Sequence, residues 1–303
     1  MDIVVGITME QKEMRLSKNY SGSMAQIYQK IVQGDCMNAP TFVELFAGIG
    51  GFRLGLERAG WKCIWANEID KNACKLYRKN FGGKELIEQD IRKIKTSEIP
   101  EADMLVGGFP CQPFSLAGSR KGFKDTFGTL FYEIARIAEI NRPKILLLEN
   151  VKGLLSAQRG QCFYRILQIL DELGYDVEWQ VLNSKYYGVP QTRERVFIIG
   201  YLRGGSQRPI FLEGKKFTIV DEMDRFKQNL AGTLTANYDS KFNDTYLKNE
   251  NGYRCFTPVE CERLQGFPDR WTEGIPDKLR YKCLGNAVTV NVIEFLGKLL
   301  LRV

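Results

Sequence analysis

The sequence predicts an α/β protein built on a doubly wound, mostly parallel sheet, with a small loop-rich second lobe. Three observations carry this. From Thr41 to Tyr201, short apolar runs alternate with segments of helical apolar spacing, the pattern of strands joined by crossover helices. A glycine-rich turn follows the first run, where a doubly wound sheet turns from strand to helix. After Leu202 the periodicity stops, and residues 203–255 are rich in Gly, Asn, Asp, Lys and Thr.

Each element follows from local pattern. Residues 41–46 (TFVELF) are mostly β-branched or aromatic and read as the first strand; a helix starts near Phe52. Residues 62–69 give a second strand and 71–81 a helix, while 85–91 and 103–109 are further strands. Residues 130–140 and 163–173 have helical spacing, as in Phe163, Ile166, Leu167 and Leu170. Between them, 144–151 is a continuous apolar run of the kind buried on both faces of a parallel sheet. Residues 177–183 and 196–201 add two strands. Order returns at Thr257 and Pro258, a helix start with proline in its first turn, and 290–300 predict a last helix packed on the sheet. Residues 23–32 have the pattern of a short helix. The expected organisation is an N-terminal extension (1–40), an α/β body (41–202 with 275–303), and a small loop-rich lobe (203–274).

Composition narrows the function. With 44% hydrophobic and 26% charged residues, the chain reads as an ordinary globular protein. A net charge of +7 suits a polyanionic partner without requiring one. The eight cysteines form no CxxC pair, which suggests reduced thiols in a cytoplasmic protein. No signal-peptide pattern and no membrane-length apolar run are present, so no membrane association is expected. The chain contains no histidine. Ser-His-Asp and Cys-His relays are therefore excluded, as is any His-ligated metal, and no metal is expected.

Candidate functional residues stand at the ends of predicted strands. Cys111 closes MLVGGFPCQ (104–112), where a thiol could meet a substrate or simply be buried. Phe46, Gly48 and Gly50 lie in the turn after the first strand, which either admits a ligand to the backbone or is only a tight turn. Glu68, twenty residues past Gly48, ends the second strand, where nucleotide-type folds hold ribose hydroxyls. Asp90 ends the third and could accept from an adenine amino group; either acid could instead be a cap or a surface charge. Glu149 follows ILLL (145–148), where a carboxylate is costly unless paired or protonated. Arg193 and Arg195 alternate, so both face one side of an extended segment. A structural acid and a surface ion-pair ladder are the plainer readings of these last three.

Together these pieces resemble the DNA cytosine-5 methyltransferases of bacterial and phage restriction-modification systems. The matching strings are FAGIGG (46–51), NEID (67–70), GGFPCQPFS (107–115), ENVKG (149–153), QTRERVF (191–197), TPVECERLQGFPD (257–269) and GNAV (285–288). The resemblance implies a Rossmann-like fold that uses S-adenosylmethionine, releases S-adenosylhomocysteine, and methylates carbon 5 of a cytosine flipped out of duplex DNA. It makes Cys111 the nucleophile toward carbon 6, Glu149 the group on ring nitrogen 3, and Arg195 with Arg193 the supports of the ring. Phe46, Gly48, Gly50, Glu68, Ile69, Asp90, Pro110, Asn286 and Val288 would line the cofactor pocket. Ser115, Arg120, Lys121 and Lys124 would belong to a loop closing over DNA, and Thr233 and Thr235 to the segment entering the major groove.

Departures from the family pattern bear on DNA contact. Phe127 and Val259 stand where relatives usually carry arginine, and the lobe between QTRER and TPVEC is short. The same chemistry on tRNA, or a catalytically dead DNA-binding relative, are the competing functions; an NAD-dependent oxidoreductase fits less well, because the turn is not a full GxGxxG. A monomer is expected, with a cognate restriction endonuclease as a partner in the same system.

Overall fold

The structure, a computed structural model, describes residues 39–110, 130–205, 209–211, 230–236, 238, 247–249 and 252–302. Cys111, Ser115, Arg120, Lys121, Lys124 and Phe127 lie outside the described residues, as does the helix expected over 23–32.

Strands β1 (Thr41–Leu45), β2 (Lys62–Glu68), β3 (Leu86–Glu88), β4 (Met104–Gly108), β5 (Ile145–Val151), β6 (Tyr175–Asn183) and β7 (Glu194–Leu202) form one sheet in the order β3-β2-β1-β4-β5-β7-β6. β1 pairs in parallel with β2 and β4, and β4 with β5; β7 is antiparallel to both β5 and β6. The reversal has a covalent cause. Residues 184–193 return from β6 to β7 through the short turn Ser184–Tyr186, with no crossover helix to restore direction.

Alternation along each strand feeds two cores. Phe42, Met104, Val106, Ile145 and Leu147 face helix α1 (Gly51–Ala59) and the C-terminal helix. Val43, Leu45, Leu105, Leu146 and Leu148 face α3 (Phe131–Asn141) and α4 (Gln161–Glu172). The sheet is thus covered on both sides, which explains the near-continuous apolar strands. Helix α2 (Lys71–Phe81) follows β2, its N-terminus capped by Asp70.

The C-terminal part adds α5 (Pro258–Leu264), α6 (Asp277–Asn286) and α7 (Val290–Leu300), after a small β8–β9 pair (Leu247–Asn249, Gly252–Arg254). Thr257 and Glu260 form a capping box at α5. Leu264, Phe267 and Trp271 share a core cluster with Ile49 and Leu76, and the Trp271 indole donates to Ile49 O at 3.0 Å. Residues 257–274, expected in the second lobe, therefore pack on the body. Asp277–Leu300 is apolar enough for a membrane span over part of its length (mean hydropathy 1.3), but it is two helices broken at Ala287–Thr289. α7 buries Val290, Val292, Ile293, Leu296 and Leu300.

Candidate active site

The carboxyl ends of β1, β2, β4 and β5 surround a cavity of about 490 Å³. Its floor is the turn between β1 and α1, where Phe46, Gly48 and Gly50 all have positive φ (55°, 56° and 83°). Such a turn persists only when its surroundings over-determine it. Here Ala47 N–H donates to Asn67 O at 2.9 Å and Gly48 N–H to Glu68 Oε2 at 2.7 Å. Glu68 Oε1 accepts the amides of Ile69 (2.7 Å) and Asp70 (2.8 Å). Three N–H groups leave this carboxylate room for about one more donor, such as a sugar hydroxyl.

Phe46, Gly48, Glu68, Ile69, Pro110, Asn286 and Val288 all line the cavity. Ile69 is 60% exposed, an apolar side chain presented at the cavity rather than to a core. Two expected cofactor residues, Gly50 and Asp90, are not among the lining residues. Gly50 turns toward the Phe81 ring, which occupies the space a Cβ would need. Asp90 caps the turn Ile91–Lys93 and pairs with Arg92, because β3 ends at Glu88, before this residue.

The second wall holds the chemistry-bearing charges. Glu149 is opposite Gly108 on β4 and Phe197 on β7. A Cβ on Gly108 would stand 3.1 Å from Glu149 Oε2, so a larger residue there would press on the carboxylate. Arg195 Nε lies 3.0 Å from Glu149 Oε1, and both side chains are nearly buried (15% and 12% exposed). Burial pushes the Glu149 carboxyl above its ordinary range, against the opposing pull of Arg195 and Arg193. Desolvation correspondingly lowers Arg195.

Arg193 lines the same cavity, but its guanidinium is committed to protein carbonyls: Leu234 O (2.8 Å), Gly285 O (2.9 Å) and Ala287 O (2.8 Å). Burial brings it down to about 9. Its two Nη atoms thus tie the cavity wall to residue 234 and to the end of α6, while the buried Nε has no partner among the described residues. The Thr233 hydroxyl donates to Thr192 O at 2.7 Å, and the backbone of Thr235 packs against Gly285. Both residues that were expected in the major groove sit against the body.

β4 leads out through Phe109 and Pro110, the latter on the cavity wall, to Cys111. Asn150 fixes this exit, its amide donating to Phe109 O at 2.8 Å. Asn150, Asp70 and Lys282 line the cavity without having been singled out from sequence. Asp70 Oδ2 pairs with Lys282 Nζ at 3.0 Å across from α2 to α6. NEID and ENVKG contained two of the three, so adjacency to a strand-end acid was the available signal. Among the described residues, no group of three or more Cys, Asp or Glu is placed to hold a metal ion.

A doubly wound sheet with a glycine turn after β1, an acid closing β2, and a carboxylate–arginine pair across β5 and β7 defines an α/β enzyme with an adenosine-type cofactor site. Residues 40–234 and 216–302 match the sequence profile of the family described as C-5 cytosine-specific DNA methylase. The Type II methyltransferase M.DsaV of Dactylococcopsis salina is 35% identical, over 86% of this chain and 85% of the relative. The Type II methyltransferase M1.ScrFI of Lactococcus lactis subsp. cremoris is 38% identical, over 86% and 78% respectively. Among solved structures, a DNMT2 of Spodoptera frugiperda superposes with a TM-score of 0.71 at 20% identity, covering 86% of this chain and 99% of that one, a likeness of fold. The chain belongs to the C-5 cytosine-specific DNA methylase family. It is a DNA cytosine methyltransferase of the S-adenosylmethionine-dependent class.

Proposed function

We propose that this enzyme methylates carbon 5 of a cytosine flipped out of duplex DNA, with Cys111 as the covalent nucleophile. The observation that carries the reading is the juxtaposition of Glu149 and Arg195 with the β4 exit at Pro110, one residue before Cys111, in the cavity floored by the glycine turn.

The chain's residues divide the work. The Cys111 thiolate adds to carbon 6, forming a C–S bond and making carbon 5 enamine-like. A free thiol of pKa about 8.5 is a few per cent ionised at pH 7, a cost of about 2 kcal/mol that the site must offset. Glu149, raised by burial, places a proton on ring nitrogen 3 as the ring accepts electron density. Arg195 holds the Glu149 carboxyl in place and supports the ring edge beside it. The turn at Phe46–Gly48, Glu68, Ile69, Asn286 and Val288 would hold S-adenosylmethionine, Glu68 taking a ribose hydroxyl and Phe46 and Ile69 the apolar faces of the base. When bound, that group supplies an electrophilic methyl on a sulfonium. Once carbon 5 carries the methyl and S-adenosylhomocysteine has formed, the carbon 5 proton passes to solvent, the C–S bond breaks, and the nitrogen 3 proton returns to Glu149, which restores the Cys111 thiolate.

The lobe reading DNA is proposed as residues 203–256, since 257–274 pack on the body. Ser115, Arg120, Lys121 and Lys124 are proposed as phosphate contacts, compatible with the net charge of +7. The names of the Type II relatives support a place in a restriction-modification system; a cognate endonuclease as partner, a cytoplasmic location and a monomeric state are proposed with it. Transfer of labelled methyl from S-adenosylmethionine to duplex DNA and to tRNA tests the substrate: incorporation into DNA is expected, and incorporation into tRNA alone would overturn the reading.

A further inference from the structure

Gln191, Arg193 and Arg195 alternate along one extended segment and so face one side. Arg195 ends on Glu149, and Arg193 on Leu234, Gly285 and Ala287. Gln191, fully buried, donates to Leu264 O at 2.8 Å and accepts the Leu234 amide at 3.1 Å. Leu234 thus has its N–H held by one member of the row and its carbonyl by the next, while its side chain is buried. Three more bonds fasten the same stretch. Thr192 N–H donates to Ala231 O (2.8 Å), Ala231 N–H to Pro190 O (2.9 Å), and the Thr233 hydroxyl to Thr192 O (2.7 Å).

The network continues inward. Gln265, also fully buried, donates to Leu284 O at 2.8 Å and accepts from the Thr289 hydroxyl at 2.8 Å; Thr289 in turn meets Ser184 Oγ at 2.8 Å. A seam needing only adhesion could be apolar, without the desolvation cost of amides. A buried polar network whose side-chain atoms are paired, all but Arg193 Nε, fixes one geometry instead. The row therefore connects three things: segment 231–236 of the second lobe, the α6 rim of the cavity, and the carboxylate of the site.

We propose that Gln191 is a positioning residue which fixes segment 231–236 onto the strand bearing Arg195, so that the DNA-reading lobe and the Arg195–Glu149 pair are set by one rigid row. The inference rests on the reading of 203–256 as the DNA-binding lobe. Gln191 has no exposed surface and so acts only through the groups it holds.

The test compares Gln191→Met with the wild-type chain in steady-state methyl transfer to duplex DNA, alongside equilibrium binding of S-adenosylhomocysteine and thermal melting. A tenfold or greater rise in KM for DNA and a fall in kcat are expected, with S-adenosylhomocysteine affinity within twofold of wild type. Thr233→Val should move KM in the same direction by less. Combining the two should give less than the product of the single effects, because both hold the same segment. An unchanged KM for DNA in both variants overturns the proposal, as does an equal loss of affinity for DNA and S-adenosylhomocysteine. If Gln191→Met does not fold, Thr233→Val decides by the same split. Replacing residues 239–246 with a glycine-serine linker separates the underlying reading. No rise in KM for DNA there overturns the lobe assignment and the inference with it; a rise there, with none in Gln191→Met, overturns the inference alone.

Discussion

At the scale of single residues, the site depends on a carboxyl group under opposing influences. Burial raises Glu149 above its ordinary range while Arg195 and Arg193 draw it down. Glu149→Gln should lower kcat by about 10² to 10⁴, the usual worth of a placed acid, while equilibrium binding of S-adenosylhomocysteine stays within twofold. Gly108→Ala should cost about 10-fold to 100-fold in kcat through displacement of the same carboxylate, with both substrates still bound, as steady-state kinetics would show. Behind the glycine turn, the fully buried Glu44 is pushed up to about 8 by desolvation, against hydrogen bonds from Tyr77 and from the Arg53 amide. Unfolded, it ionises near its ordinary value of 4.5. Between these values the folded chain binds the extra proton, so stability falls as pH rises from about 5 to 8. Glu44→Gln should flatten that decline in melting temperature; an identical slope in the variant would remove Glu44 as its source.

At the scale of elements, what could be read from the chain depended on whether a pattern had a single physical cause. The strands and helices from Thr41 to Tyr201 were legible because alternation and helical spacing each report burial directly. Strand direction was not: β7 alternates in the same way whichever way it runs, and only the crossover-free return from β6 reverses it. α6 is not legible in the sequence because DKLRYKCLGN has almost no apolar periodicity, its buried residues being confined to its last turn. Asp90 stands in a turn rather than at a strand end, because the backbone turns after Glu88 where the apolar run predicts a longer strand. α5, by contrast, was marked by Thr257 and Pro258, and its capping box is formed. Thr257→Ala should cost about 1 kcal/mol, read as a drop of roughly 2 °C in Tm, with the kinetic constants unchanged.

At the scale of the whole molecule, six of the seven strings scattered over the sequence converge on one cavity, TPVECERLQGFPD packing behind it. FAGIGG and NEID supply its floor and rim, ENVKG and QTRERVF its charged wall, and GNAV the lip formed by the end of α6. The convergence was legible from motif order; the scaffold behind it was not. Gln191 and Gln265 carry no sequence signal as buried amides, since a glutamine in a loop reads as solvated, and only tertiary contact shows them fully enclosed. The alternation of Arg193 with Arg195 predicts a shared face but not the three carbonyls that hold the Arg193 guanidinium. Shape and charge thus come from residues far apart in the chain, and the nucleophile proposed to complete them is Cys111.

The measurement that tests this most directly is base-resolution mapping of methylated cytosines in duplex DNA incubated with S-adenosylmethionine and either the wild-type chain or Cys111→Ala. The account predicts 5-methylcytosine at one short recurring sequence with the wild type, and none above background with the variant, which should still bind S-adenosylhomocysteine. Methylation at the same sites by Cys111→Ala would contradict it.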